Sequence, residues 1–255
     1  MAIEPKKLRE AQLIMLEMLI EFDTLCTKHG LVYWLDSGTL LGAVRHEGFI
    51  PWDDDIDLSM PLEDYTRFKN LISKELSNDI FFQSKKSDTH FPFDYIKLRS
   101  NKASIIEFHE KDKDISYHQG VFVDIFPMLS VPSRPLVKYY YETAFTLIRF
   151  FSSKNLHVTR SIPSTPLRKL LTRSLSMLHD NKHTQLIYGG EMPDVAAWFD
   201  KKEIFPLKTL TFEGLSFPTP QNTDHYLNAI YPFDYKTLPP KDKRTIHAHE
   251  VKIKS

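Results

Sequence analysis

The sequence lacks the features that mark secreted, membrane-spanning and nucleic-acid-binding proteins. Its 255 residues include one cysteine, Cys26, which excludes an intramolecular disulfide framework and a cysteine-rich zinc site. No stretch approaches the ~18 apolar residues of a membrane span, and the N-terminus carries no evident signal peptide. The 33 basic residues balance 33 acidic ones, so no global charge favours nucleic acid or an anionic membrane. We therefore expect a soluble, cytoplasmic protein that does not bind nucleic acid.

Helical and extended patterns alternate along the first half of the chain. Residues 5–29 carry apolar side chains at three- and four-residue steps and end before Gly30, which predicts a long amphipathic helix. The patterns predict further helices at 39–46 and 64–76 and strands at 31–35, 55–60, 95–99 and 120–126. Such mixing indicates an α+β or α/β fold, and we assign residues 1–131 to a catalytic core.

The composition changes after about residue 132. Residues 136–151 are rich in tyrosine, phenylalanine and leucine, and residues 166–179 form a basic amphipathic stretch. Pro163 and Pro166 separate the two, which predicts a helical lobe over residues 132–200. The remaining segment, 201–255, is rich in proline and ends in a polar stretch, and we expect it to return to the core.

Four carboxylates lie within five residues in the run Asp53-Asp-Asp-Ile-Asp57. On a strand, Asp55 and Asp57 project from one face, roughly 6.6 Å apart along the chain. Carboxylates crowded in this way repel unless a cation lies between them, and oxygen ligands without histidine or thiol suit Mg²⁺ or Mn²⁺. Asp124 stands alone in an apolar strand, where an unpaired carboxylate is costly, so it is the expected third ligand.

Two other interpretations of the acidic run remain open at this point. One is a solvated acidic loop. The other is a calcium-binding loop of the EF-hand type, because Asp53, Asp55, Asp57, Ser59 and Asp64 have the required spacing. Against it, Leu58 occupies the position that needs glycine, and proline interrupts the loop.

A longer pattern surrounds the acidic run. The segments Tyr33-Trp-Leu-Asp-Ser-Gly-Thr-Leu-Leu-Gly-Ala-Val-Arg-His46 and Gly48-Phe-Ile-Pro-Trp-Asp-Asp-Asp-Ile-Asp57 resemble the signature of the LicD family of phosphocholine transferases. That family is similar to the fukutin-related ribitol-phosphate transferases. Weaker matches continue at Lys97-Leu-Arg99, Val123–Pro127, Phe212-Glu-Gly214 and Leu238-Pro-Pro240.

The resemblance implies a nucleotidyltransferase-like mixed sheet flanked by helices, with an additional helical lobe. It makes Asp55, Asp57 and Asp124 the metal ligands. Gly38 and Thr39, in a turn where amides can hold a phosphate, would face the donor together with Arg45 and Lys97. The aromatic residues Tyr33, Trp34, Trp52 and Tyr95 are candidates for an alcohol pocket, and Trp52 is the preferred one.

The implied reaction moves a phosphorylated alcohol, most often phosphocholine, from a CDP-alcohol donor such as CDP-choline to a glycan or lipid-linked glycan acceptor. Lipopolysaccharide or teichoic acid biosynthesis would supply that acceptor. Nucleotidyl transfer and a ligand-binding pseudoenzyme are the alternatives. The tail carries His247 and His249 at alternate positions, and we expect His247 to contribute to catalysis. We also expect the aromatic and basic lobe to contact the inner membrane surface peripherally.

Overall fold

The computed structural model describes residues 3–71, 75–153, 166–189, 197–231, 234–244 and 246–254. Helices and strands intermix along this part of the chain, which confirms the α+β class. The elements are α1 Pro5–His29, β1 Trp34–Leu35, α2 Ser37–His46, β2 Ile56–Pro61, α3 Leu62–Leu71, β3 Ile80–Gln83, β4 Ile96–Glu107, β5 Gly120–Val131, α4 Pro135–Ser153, α5 Pro166–Met177, β6 Gln185–Tyr188, β7 Trp198–Asp200, α6 Lys201–Ile204, β8 Lys208–Phe212, β9 Leu215–Thr219, α7 Thr223–Ile230 and β10 Ala248–Ile253.

A mixed sheet forms the centre of the molecule. Its main path runs β1-β2-β5-β4-β10, with β3 on β4 and with β6 and then β7 continuing from β5. The pairing of β2 with β5 is parallel, and the other pairings in this sheet are antiparallel. Strand β5 is buried along its whole length because it lies between other strands and helices α1 and α3 pack against it, which accounts for its largely apolar sequence.

Helix α1 covers the sheet with the apolar stripe predicted from the sequence. The stripe residues Leu8, Ala11, Met15, Leu19, Phe22 and Cys26 are all buried. Pro5 occupies the first turn, where no amide partner is needed, and Gly30 ends the helix in the left-handed conformation at φ 61°. The helix packs on β4, β5 and β10, so it lies beneath the strands that carry the site.

The Phe212-Glu-Gly214 motif is the turn of the β8–β9 hairpin. Glu213 and Gly214 have φ values of 53° and 78°, as a two-residue turn of this hand requires. The Glu213 carboxylate binds Arg9 of α1 at 2.6 and 3.0 Å and accepts the amide hydrogen of Phe49 at 3.0 Å. The motif therefore holds the loop after α2 against helix α1.

The described part of residues 132–200 contains strands as well as helices. The predicted helices are present as α4 and α5, but the segment also contributes β6 and β7, which extend the central sheet. Tyr141 is buried against this extension, whereas Tyr139 and Tyr140 are exposed. The side chains of Phe145, Phe150, Phe151, Arg168 and Lys169, part of the predicted membrane-facing surface, lie outside the described residues. Within the described residues, no helix combines the length and apolar character needed to cross a bilayer.

Candidate active site

The loop between α2 and β2 lies along a glycine face of α2. A methyl group on Gly42 would be 2.5 Å from the carbonyl oxygen of Gly48, and one on Gly38 would be 2.9 Å from a carboxylate oxygen of Asp53. Gly38 and Gly42 are four residues apart, so they share a face of the helix. The two glycines therefore let the acidic loop approach the first turn of α2.

Two hydrogen bonds fix Asp57 beside that turn. Its backbone amide donates to the Thr39 hydroxyl at 2.8 Å, and its carbonyl accepts the amide of Asp36 at 3.0 Å. The Thr39 side chain thus supports β2, and its predicted contact with donor phosphate stays a prediction. The strand predicted before this turn is shorter than expected, since β1 covers two residues.

Asp57, Asp124 and Lys97 lie side by side on three neighbouring strands. Asp57 is the register partner of Asp124 in the parallel pair β2–β5, and Asp124 is the partner of Lys97 in β4–β5. The Lys97 ammonium lies 2.8 and 2.9 Å from the two carboxylate oxygens of Asp124, and both residues are buried. The ammonium also lies 3.4 Å from the ring centroid of Phe122. Lys97, predicted to face phosphate, is therefore engaged with Asp124.

The pKa of Asp124 bears on whether the aspartate site could hold a cation. Burial raises the pKa of Asp124 to about 6, and the negative charge of Asp55 adds to the effect, although Lys97 opposes it. A group with such a pKa favours a proton or a cation nearby. The oxygen-only ligand set and this preference for positive charge fit a hard divalent ion such as Mg²⁺ or Mn²⁺.

Asp53, Asp54 and Asp55 form the closest acidic group of the site. Their ligand oxygens lie within 4.8 Å of one another, an arrangement that could hold a metal ion. The sequence prediction had placed the ion on Asp55, Asp57 and Asp124; the structure puts Asp55 in the compact group and the other two on the adjacent strands. Asp54, which the sequence analysis did not select, accepts a hydrogen bond from the Ala248 amide of β10.

The burial of these acids decides between the interpretations left open above. Asp54, Asp55 and Asp57 are each 2% exposed, which is incompatible with a solvated acidic loop. The calcium-loop interpretation is also wrong, because Asp57 and Ser59 belong to a buried strand and Asp64 belongs to α3. There Asp64 pairs with Arg67 at 2.9 Å.

Two predicted donor-binding residues lie at the edge of the site. Arg45 donates to the carbonyl oxygen of Tyr235 at 3.0 Å; burial lowers its pKa, while the charge of Asp53 raises it. The guanidinium of Arg244 lies 4.1 Å from the ring centroid of Trp52 and covers one face of the indole. An ammonium group would therefore have to use the other face of Trp52 or displace Arg244.

Two other aromatic candidates belong to the core. Tyr33 is buried and donates to Asp23 at 2.7 Å, and Trp34 is fully buried and donates to Tyr226 at 3.1 Å. These rings do not line an open pocket. Tyr95 is buried in the same core, and its ring centroid lies 5.5 Å from the Lys97 ammonium.

A buried polar network supports the turn before α2. The Asp36 carboxylate accepts hydrogen bonds from the Ser37 amide at 2.6 Å, from the Tyr188 hydroxyl at 2.7 and 2.8 Å, and from the Ser59 hydroxyl. Burial raises the pKa of Asp36, and these donors oppose that shift. This network was not predicted from the sequence, because Tyr188 lies 152 residues from Asp36.

The C-terminal histidines lie beside β4. The Phe108 amide donates to the His247 carbonyl at 2.8 Å, and β10 then pairs with the end of β4. A register shift between Ala248 and Glu250 makes His249 a bulge residue, so strict alternation does not place both imidazoles on one side. His249 contacts the ring of Phe108 at 5.3 Å between centroids.

Acidic residues that could hold a metal ion, beside a helix N-terminus that could hold a phosphate, are features that enzymes of phosphoryl transfer use. The sequence profile described as the LicD/FKTN/FKRP nucleotidyltransferase domain matches residues 30–163, just over half of the chain. The chain belongs to this family.

Three relatives show how far the similarity extends. The lipopolysaccharide cholinephosphotransferase LicD of Haemophilus influenzae is 28% identical over 96% of this chain and 98% of its own length. The human ribitol 5-phosphate transferase FKRP is 50% identical over 46 residues, 18% of this chain and 9% of FKRP. Mannosyltransferase regulator 4 of Saccharomyces cerevisiae is 25% identical over 52% of this chain and 11% of that protein.

Proposed function

We propose that this protein is a metal-dependent phosphotransferase that moves phosphocholine, or a related phosphorylated alcohol, from a CDP-activated donor to a cell-surface glycan precursor. The observation that carries the proposal is the register of Asp57, Asp124 and Lys97 beside the acidic loop and the first turn of α2. The full-length similarity to a lipopolysaccharide cholinephosphotransferase supports the choice of alcohol and acceptor.

Each group has a role that follows from its position. Asp55 and Asp57, with Asp124, would hold the ion, which would neutralise the donor diphosphate and the departing cytidine monophosphate. The amides of Gly38 and Thr39 open a ten-residue helix, where backbone N–H groups and the helix dipole favour phosphate. Lys97 holds Asp124 in place through its two short contacts. Arg45, near the C-terminal end of α2, and Trp52, in the loop after that helix, would form the other boundary of the donor site.

The acceptor hydroxyl must lose its proton as it attacks the phosphorus. Asp124 and His247 are the candidate bases, and β10 brings the tail that carries His247 to the end of β4. We propose a cytoplasmic location with peripheral contact at the inner membrane face, where a lipid-linked acceptor would be presented.

The test is a transfer assay with two labelled donors. CDP-choline labelled in the choline methyl groups should label the glycan acceptor, and CDP-choline labelled in cytidine should not. Choline transfer should require Mg²⁺ or Mn²⁺ and should stop when the metal is chelated. Cytidine on the acceptor would instead establish nucleotidyl transfer, the activity that the domain description names.

Paired variants separate the site from the fold. Asp57→Asn should lower transfer at least ~100-fold while the protein stays folded, because the amide is nearly isosteric but removes one charge from the metal set. Asp64→Asn, in the ion pair with Arg67 outside the site, should keep activity. An Asp57→Asn enzyme that is active at ordinary metal concentrations would contradict the assignment. A chain that turns over no donor, with any acceptor, would support a pseudoenzyme.

A further inference from the structure

A second group of metal-ligand type lies at the end of β4. Glu107 is the last residue of that strand, and His109 and Glu110 lie in the turn after it. One ligand atom from each residue lies within 4.8 Å of the others. The group shares no residue with the aspartate site, and the sequence analysis did not select it, although Glu107-Phe-His-Glu110 places three potential ligand residues within four positions.

The Glu107 carboxylate gives an independent indication of a bound cation. Glu107 is 7% exposed, and among the described residues its carboxylate has no hydrogen-bond or ion-pair partner. A mostly buried carboxylate without a protein partner favours a cation or a proton beside it. Its oxygen points at the other two ligands, so a shared ion would provide the missing partner.

Glu110 is already oriented by its neighbours. It accepts hydrogen bonds from the Tyr117 hydroxyl at 2.5 Å, from the Glu107 amide at 3.0 Å and from the Gln119 side chain at 3.4 Å. A carboxylate has about four lone-pair directions, so capacity remains for an ion. Outer hydrogen bonds of this kind are what fix metal ligands in known sites.

The spacing favours a small ion over an organic cation. Two ligands at about 2.0–2.3 Å from one ion lie at most about 4.6 Å apart, so ligand atoms that lie within 4.8 Å of one another need at most a small contraction. A quaternary ammonium group is larger and would hold its carboxylates farther apart. One imidazole with two carboxylates suits Mn²⁺ or Zn²⁺ better than Mg²⁺ or Ca²⁺.

We propose that Glu107, His109 and Glu110 bind a divalent transition-metal ion at a site distinct from the aspartate site. Its position suggests what the ion does. Glu107 is the register partner of Ala248, whose amide donates to Asp54. An ion at this site holds the end of β4 next to β10 and to Asp54, which accepts the hydrogen bond from that strand.

The test is Mn²⁺ binding to the full chain after treatment with a chelator. Bound ions are counted by the loss of the free Mn²⁺ resonance signal, and electron spin echo modulation detects coupling to an imidazole nitrogen. The wild type should bind two ions. Glu107→Gln and His109→Ala should each bind one, and His109→Ala should lose the nitrogen coupling. Glu250→Gln, a carboxylate variant on the same strand pair, should bind two.

Other results would overturn the proposal. An unchanged count and unchanged nitrogen coupling in both variants would do so, as would the same loss in Glu250→Gln. Metal-free circular dichroism melts establish that each variant is folded, and the partly exposed His109 provides a test even if Glu107→Gln is unstable. The quantity measured is the number of bound ions and not transfer activity. Asp57→Asn should retain the ion at Glu107, so absence of this metal site can be distinguished from failure of the proposed reaction.

Discussion

Replacing Lys97 by methionine would leave Asp124 buried without its cation. In the wild type, Asp124 has a pKa of about 6, against 3.8 for a solvated aspartate. This raised pKa means that the stability contributed by the protonated group is fully present below pH 3.8 and is lost as the pH rises towards 6. Above pH 6 the carboxylate is charged in both the folded and the unfolded state, so the contribution of Asp124 to the free energy of unfolding no longer changes with pH.

The Lys97→Met variant should behave differently above pH 6. Removing the ammonium 2.8 Å away raises the pKa of Asp124 further, so the folded variant keeps the proton that the unfolded chain releases. Its free energy of unfolding should fall by up to about 1.36 kcal/mol per pH unit relative to wild type. This part of the deficit is about 1.4 kcal/mol at pH 7 and about 2.7 kcal/mol at pH 8. Proton uptake keeps it below the 3–5 kcal/mol typical of an uncompensated buried charge.

Urea unfolding at pH 6, 7 and 8, with chelator present to exclude metal effects, measures this slope. The double variant Lys97→Met/Asp124→Asn should lose the slope, because no titrating group remains at position 124. Lys102→Met, on the same strand but exposed, should give only a small deficit and should not show the pH slope. A Lys97→Met deficit that is independent of pH, or that persists with the same slope in the double variant, would refute the reasoning.

Three further predictions concern the groups around the site. Gly42→Ala should lower the free energy of unfolding by about 1–3 kcal/mol in urea melts, because the methyl group meets the Gly48 carbonyl at 2.5 Å; unchanged stability would contradict this packing. Arg9 holds the pKa of Glu213 below its usual value, so Glu213→Gln should lower the free energy of unfolding by roughly 1 kcal/mol at pH 7. This loss of stability should shrink as the pH falls below about 4.5, and a loss that grows instead would contradict the prediction. His247→Ala should lower turnover at least about tenfold with little change in melting temperature; full activity would remove this histidine from the mechanism.

The local sequence pattern by itself was enough to predict several elements of this protein. The stripe in α1 is confirmed because burial on one helical face imposes a 3.6-residue period within one segment. The alternation of Asp55 and Asp57 with Ile56 and Leu58 likewise indicated a strand with polar and apolar faces, although β2 is buried on both. The solitary acid Asp124 in an apolar run was identifiable because an ionisable group there is costly.

Only the tertiary structure decided which groups meet. The parallel register of β2 and β5 makes Asp57 and Asp124 neighbours, and the Lys97 ammonium contacts the Asp124 carboxylate. The hydrogen bond from Ala248 to Asp54 joins residues 194 positions apart.

The strands β6 and β7 were not predicted from the sequence, because the helical pattern of residues 132–200 is stronger than any alternation typical of a strand. Short strands acquire their partners from the closure of the whole sheet, and a register shift such as the bulge at His249 follows from that closure. The spacing of residues along the chain does not predict how the sheet closes.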